Sequence, residues 1–399
     1  MTNNISSKTR IWLILILGTI SATGPLSIDM YLPALPEMTK DFASPASLIQ
    51  LSLSSCLIGL ALGQIIVGPL SDKFGRKIPL ITGFTIFAIV SLILSFSNSV
   101  SVLIILRFIQ GLAGATGQVL SKAIARDLFS GPLLTTFYSM LSAVNGIFPV
   151  VSPVIGGIII KFFKWQVIFI ILAAIGFLIV LAVLCGIKET LPPDKRVNEG
   201  VIETFASMGQ LLTNWPFMKL LLSAGLVTGG LFCYISASSF VFQQLFHMSV
   251  QNFSFLYAVN GTGIAIGSVI PGFLASRTSL QKQTKVVLGT TVASATLLVI
   301  SALAFHNLAV VIALVLLIVT QFGMLFTLTT SIVMNLSTNN SGSISALFGL
   351  SQNGIGGIMS PVMGMFGTMT YMPMAVGIFG CLGLSFLLFN SAEKKISNN

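Results

Sequence analysis

The sequence predicts an all-α integral membrane protein of twelve transmembrane helices, arranged as two related six-helix halves. Three observations lead there: a composition unsuited to water, apolar runs of span length, and an internal repeat. Of 399 residues 54% are hydrophobic and only 8% charged, with a mean hydropathy of +0.98. So little polar surface cannot cover a soluble domain. A span needs roughly 20 apolar residues, so twelve spans leave about 33 residues each, short loops and no room for a separate globular domain.

Breaking the pattern at charge clusters and polar or proline-containing gaps gives spans at 11–32, 47–70, 78–97, 100–122, 133–160 and 166–187. A second set follows at 218–243, 252–275, 285–305, 308–331, 343–366 and 372–391. Lys8 and Arg10 precede the first run as in a signal peptide. Pro25, Asp29 and Pro33 follow it instead of a small-residue cleavage site, so it is read as a retained helix. Lys188, Glu189, Asp194, Lys195, Arg196, Glu199 and Glu203 mark the longest stretch of mixed charge. The expected organisation is therefore an N-terminal half (1–187), a cytoplasmic linker (188–217) and a C-terminal half (218–399).

Basic residues orient the chain. With both termini inside, sixteen Lys and Arg fall in inner segments, while only Lys40, Lys161 and Lys164 fall outside. This expects a plasma (inner) membrane protein with both ends cytoplasmic. It also accounts for the net charge of +10 through an anionic lipid leaflet, with no nucleic acid as partner.

The repeat is explicit. Asn145-Gly146-Ile147 is followed after four residues by Ser152-Pro153-Val154, then one residue and Gly156; Asn353-Gly354-Ile355, Ser360-Pro361-Val362 and Gly364 repeat it 208 residues later. Gly59, Gly63 and Gly68 recur as Gly263, Gly267 and Gly272 at an offset of 204. Parallel duplication follows, with a substrate site expected near mid-membrane. The plain reading of these glycines is close helix packing. It also disposes of the nucleotide-loop look of Gly261 and Gly263, which have no strand before them.

Cys56, Cys185, Cys233 and Cys381 lie apart in apolar runs, and His247 and His306 sit in polar breaks without a carboxylate nearby in sequence. No metal centre, catalytic residue or cofactor is expected from them.

Gly68-Pro69-Leu70-Ser71-Asp72-Lys73-Phe74-Gly75-Arg76-Lys77 resembles the signature loop of the major facilitator superfamily in order, spacing and position after the second span. Arg107-Phe108-Ile109-Gln110-Gly111 is similar to its helix 4 motif. Gly146, Pro149, Pro153, Gly156 and Gly157 resemble the antiporter motif of its drug/proton exchangers, with Ser152 where glycine usually precedes the second proline. Asp29-Met30-Tyr31-Leu32-Pro33-Ala34-Leu35-Pro36 and Arg126-Asp127-Leu128 look like the bicyclomycin-resistance (Bcr/CflA) branch. In the second half the signature loop has decayed to Gly272-Phe273-Leu274-Ala275-Ser276-Arg277, without the aspartate.

No Asp or Glu occurs between Phe205 and Ser391, and Asp29 is the sole acid in any expected span. A charge at a helix centre costs on the order of 3 kcal/mol on insertion scales, so it needs a cavity, a partner or protonation. Desolvation favours the protonated carboxyl, making Asp29 the best available proton carrier, about 27 Å along the helix from Ile11. The alternative is an interfacial aspartate that ends helix 1. Arg107 would tune or neutralise Asp29, or else serve backbone carbonyls and Gln110.

The resemblance implies that Asp72, Arg76 and Asp127 form a charge network that, with Gly68 and Gly75 of the same loop motif, latches the outward-facing state. Otherwise the three are solvated loop charges. Pro149 and Pro153 would bend their helix beside a tight seam that limits proton leak. Tyr31, Asn145, Tyr234, Gln243, Tyr257 and Asn353 are candidate substrate contacts, because polar groups in spans usually face the interior.

The expectation is a monomeric proton-coupled transporter exporting drugs or other small lipophilic or cationic molecules by alternating access. The alternatives are proton-coupled uptake of a small metabolite and, in another class, a non-transporting membrane scaffold or sensor.

Overall fold

The computed structural model describes residues 7–129, 131–196, 209, 211–274, 277–304, 307–335, 341–366 and 370–396. Among these, thirteen α-helices form and twelve have 18 or more residues. The first six long helices are α1 (Ser7–Asp29), α3 (Ala46–Phe74), α4 (Lys77–Leu94), α5 (Val100–Leu128), α6 (Gly131–Phe162) and α7 (Gln166–Gly186). The second six are α8 (Trp215–Phe240), α9 (Val250–Leu274), α10 (Leu280–Ala304), α11 (Leu308–Met334), α12 (Ser341–Met365) and α13 (Met372–Ile396). Ten are long and apolar enough, by the residues described, to cross a bilayer.

Side chains such as Ile89, Phe96, Phe177, Leu178, Phe273 and Leu387 are exposed, as lipid-facing positions must be. Within lipid every backbone polar group needs an internal partner, so helices are the only open-ended solution.

The boundaries follow local chemistry. Asn214 caps α8, its side-chain oxygen accepting from the Phe217 amide at 3.2 Å, with Pro216 in the first turn. Asn307 caps α11 in the same way through the amides of Ala309 and Val310. Two details depart from the apolar pattern. The first helix, expected to run to residue 32, ends at Asp29. A 3-10 turn (Leu32–Ala34) and a short helix α2 (Leu35–Asp41) follow, with Pro33 and Pro36 at their starts. The seventh span ends as an α-helix at Phe240 and continues through a π turn, Val241–Leu245.

Two compact units form, one from residues Met1–Ala34 and Ser55–Glu203, the other from Leu35–Ser54 and Thr204–Asn399. In the first, α1 packs on α5, α6 and α7, and α4 on α5 and α7. In the second, α8 packs on α11, α12 and α13, and α10 on α11 and α13. The two sets of neighbours correspond helix for helix. A core of Leu17, Ile20, Leu80, Phe84, Leu120, Ile124 and Val183, all buried, joins α1, α4, α5 and α7 in the first unit.

The repeated glycines are contact points. A Cβ on Gly59 would lie 2.1 Å from the Phe108 carbonyl oxygen, and one on Gly111 2.0 Å from that of Cys56, so α3 and α5 touch backbone to backbone. In the second unit a Cβ on Gly267 would lie 2.0 Å from the Thr320 oxygen and one on Gly323 2.1 Å from that of Ile264. Gly68 and Gly272, which share the repeat, have open space around them. The seam of α8 and α13 is antiparallel: Lys219 bonds Ser391, Ser223 and Ser385 exchange hydroxyl-to-carbonyl bonds, and Cys381 and Cys233 lie over Gly229 and Gly377. Small residues allow this closeness in lipid, where dispersion and interhelical hydrogen bonds drive association.

Gly59→Ala and Gly323→Ala should therefore each lower the apparent Tm of detergent-solubilised protein, at a cost of about 1–3 kcal/mol from overpacking. Gly68→Ala should leave the Tm unchanged or raise it, since alanine is the better helix former. Thermal unfolding of the three variants checks the contrast.

Candidate functional site

Two clusters of hydrogen-bonded polar groups in the first unit are each built on a buried arginine. The deeper one centres on Arg107, which α5 carries with no exposed surface. Its Nη1 donates to the Ser27 carbonyl at 3.0 Å and to Gln110 Oε1 at 2.6 Å. Gln110 Nε2 donates onward to Ser91 Oγ at 2.7 Å, and Ser91 to the Phe87 carbonyl. The guanidinium carbon stands 4.7 Å from the centre of the Tyr31 ring and 5.9 Å from that of Phe169. Tyr31 and Phe169 meet at 5.8 Å. A desolvated cation over an aromatic face gains about 2 kcal/mol, which offsets part of the cost of burial. Nε and Nη2 are buried without a hydrogen-bond partner.

Asp29 closes α1 two residues beyond Ser27 and is 7% exposed. Arg107 thus lies against the α1 terminus that carries Asp29 and Tyr31. Its partners are the backbone carbonyl and Gln110, which the sequence offered as the alternative to pairing with Asp29.

The second place is the loop between α3 and α4. Arg76, 4% exposed, donates from Nη1 to Asp72 at 2.6 Å and Ser71 Oγ at 2.6 Å, and from Nε to Asp127 at 2.9 Å. Ser71 passes its own proton to the Gly68 carbonyl. Burial disfavours the Arg76 charge, yet the bonds and charges of Asp127 and Asp72 outweigh it and hold the guanidinium above its ordinary value. The proposed latch residues Asp72, Arg76 and Asp127 are therefore brought together. Gly75 is required for its backbone, with φ +88, and a Cβ there would strike Glu189 Oε2 at 2.5 Å. Gly68 has no packing reason to be glycine.

Sequence reasoning missed Glu189 and Thr190. Glu189 accepts from the amides of Arg76 at 2.8 Å and Lys77 at 3.1 Å, and from those of Thr190 and Leu191 at 3.0 Å each. Thr190 Oγ1 donates to Asp127 Oδ2 at 3.0 Å. The carboxylate sits on the positive end of α4 and satisfies its first donors. Burial pushes the Glu189 carboxyl up, but the four amide donors more than cancel this and hold it below the usual carboxylate value. The signal was present as an acid two residues past the end of a span. Its partner amides, 112 and 113 residues away, were not visible.

In α6 the helix runs unbroken through Pro149 and Pro153. Gly156 and Gly157 are buried, and a Cβ on Gly156 would lie 1.9 Å from the Met30 carbonyl, so the motif packs on the residue after Asp29. Asn145 and Gly146 lie on α6, with their surroundings outside the described residues.

In the second unit Tyr234 and Tyr257, both buried, stack at 5.9 Å and 17°. Asn260 Nδ2 donates to the Tyr234 hydroxyl at 2.8 Å, and its Oδ1 is buried without a partner. The sequence passed over Asn260, although it is a polar residue within a span like those chosen. Gln243 belongs to the π turn and Asn353 to α12, both half-buried. Tyr31 lies under Arg107. No group of three His, Cys, Asp or Glu suited to a metal occurs among the described residues, and His306 lies outside them.

Glu189 contributes stability that is full above the ordinary carboxylate value and is lost as pH falls through its depressed folded value. Acidification should therefore lower the Tm of the wild type more than that of Glu189→Gln, and at neutral pH the variant should melt lower. Melting curves of both proteins from neutral to acid pH check the sign.

A family profile described as Major Facilitator Superfamily matches residues 15–361. The uncharacterized MFS-type transporter YdgK of Bacillus subtilis is 37% identical over 99% of this chain and 98% of its own length. The bicyclomycin resistance protein homolog of Haemophilus influenzae is 28% identical over 96% of each. Among solved structures, a bacterial homolog to the human lysosomal transporter Spinster, inward-facing and occupied, superposes with a TM-score of 0.77 at 14% identity over 98% of both chains. That likeness shows the fold, and the profile and the whole-length relative show the family: the chain belongs to the Major Facilitator Superfamily and is an integral membrane transporter, not an enzyme.

Proposed function

We propose that this transporter exports drugs or other small lipophilic or cationic molecules across the plasma membrane in exchange for protons, as a monomer with both termini cytoplasmic. The observation that carries the reading is Arg107, wholly buried against the α1 terminus that holds Asp29 and Tyr31. A buried guanidinium, which stays charged, beside a helix end that carries a buried carboxyl gives that carboxyl a neighbouring cation whose distance a conformational change alters. Two guanidinium nitrogens without partners leave Arg107 donors for another acceptor in a different state of the cycle.

The direction of transport and the Bcr/CflA branch draw support from the Haemophilus relative named for bicyclomycin resistance. The Pro149, Pro153, Gly156 and Gly157 set packed on Met30 is of the antiporter type. The second half, with no acid from Phe205 to Ser391, supplies aromatic and amide surface, with Tyr234, Tyr257 and Asn260 as substrate contacts. Such a surface suits a flat lipophilic cation better than a sugar, which needs many polar partners.

Protein in liposomes under an imposed pH gradient should release protons on addition of a transported lipophilic cation. Asp29→Asn should abolish that exchange, and Asp72→Asn should slow turnover while binding is largely kept. Drug-dependent proton movement that persists in Asp29→Asn would overturn the coupling site.

A further inference from the structure

Residues Leu35–Ser54, which comprise α2 and the first turns of α3, belong by packing to the second unit, although the rest of α3 belongs to the first. The bonds that hold them there centre on Gln50, which is 1% exposed. Its Nε2 donates to the Ser236 carbonyl of α8 at 2.8 Å, and only the amide nitrogen can serve a carbonyl. Ser360 of α12 donates from Oγ to the Gln50 carbonyl at 3.3 Å. A Cβ on Gly364, one turn further along α12, would lie 2.5 Å from the Ser47 Cα. The first turns of α3 therefore rest on α12 without intervening side chains. Beside them is a small cavity lined by Ala237, Phe240, Val241, Met363, Thr370 and Met374, together with Gln50, whose Oε1 is buried without a partner.

The repeat shows that this arrangement is specialised. Ser152 and Ser360 occupy equivalent places, but Ser152 bonds its own helix at Phe148 while Ser360 reaches α3. Gly156 and Gly364 likewise receive different backbones, Met30 and Ser47. Among the described residues it is the second half's copy of the motif that grips α3.

We infer that Gln50 is a positioning residue for transport. It holds the outer turns of α3 on α8 and α12, and its release from the Ser236 carbonyl begins the opening of the outer side. This rests on the alternating-access reading and on the proposed orientation. The bond is neutral and replaceable by water once the cavity wets, which suits a contact made and broken in every cycle. A salt bridge there would leave a buried charge unpaired on opening.

Ala237→Cys supplies a reporter on the cavity wall, in a background where the exposed Cys185 is Ser; Cys56, Cys233 and Cys381 are buried. In sealed liposomes its labelling by a membrane-impermeant maleimide from the outer face should be slow. Adding Gln50→Ala should speed it about three- to tenfold, the loss expected for one neutral hydrogen bond, and Ser360→Ala should act in the same direction. Gln50→Glu should label fast when its carboxylate is ionised. Once protonated, and again able to donate, it should return towards the parent rate measured at the same pH. None of the named lining residues titrates, so any pH effect beyond the parent's belongs to the new acid. Labelling that stays at the parent rate in Gln50→Ala and Ser360→Ala, or a Gln50→Glu rate that follows the parent at every pH, would overturn the assignment. The assay needs neither substrate nor proton gradient, so a failure of proton exchange leaves its result intact.

Discussion

A guanidinium shut away from water must be served by whatever the helices around it offer, and the first unit is organised around meeting that demand for Arg107. α1 gives the Ser27 carbonyl, α5 gives Gln110, α4 gives Ser91 behind it, and α7 gives Phe169. Tyr31, just past the end of α1, closes the face of the cation. Gln110 is fixed from both ends, its oxygen accepting from Arg107 and its nitrogen donating to Ser91. The helix ends here as Pro33, four residues past Asp29, has no amide to continue the ladder, and Tyr31 in the intervening turn lies against the arginine. Fold and site share one cause at this point.

Duplication supplies the frame in which that site sits. Backbone contacts at Gly59 and Gly111 are matched by those at Gly267 and Gly323, and the helices pair alike in both units. The chemistry has parted company with the frame. The first half holds Asp29, Arg107 and the Arg76 network, with Glu189 folding the start of the linker onto α4. The second keeps the glycines and Pro361 and uses them to seat α3 through Ser360 and Gly364. Equivalent positions of one repeated motif thus pack the α1 terminus in one unit and seat the first turns of α3 in the other.

Hydropathy made the twelve long helices legible, because a bilayer leaves few other ways to satisfy a backbone; the signature loop made Asp72 and Arg76 legible through their spacing, and the Arg126-Asp127-Leu128 resemblance did so for Asp127. The π turn after α8 and the short helix α2 were not, since neither changes the apolar count. Glu189 and Gln50 escaped for a different reason. Each acts on backbone groups far away in sequence, and backbone amides and carbonyls have no sequence signature. Asn260 could have been found by the rule that selected Tyr234, because both are polar groups within a span. Where a residue acts through its own local pattern the chain announces it, and where it acts on another segment's main chain only the fold does.

The central claim is that Asp29, at the helix end held by Arg107, is the group that takes up and releases the transported proton. Infrared difference spectroscopy of the reconstituted protein between alkaline and acid buffer tests it directly. The account predicts a protonated-carboxyl band that appears on acidification, is absent from Asp29→Asn, and shifts its midpoint when Arg107 is replaced by Gln. A band that survives unchanged in Asp29→Asn would contradict it.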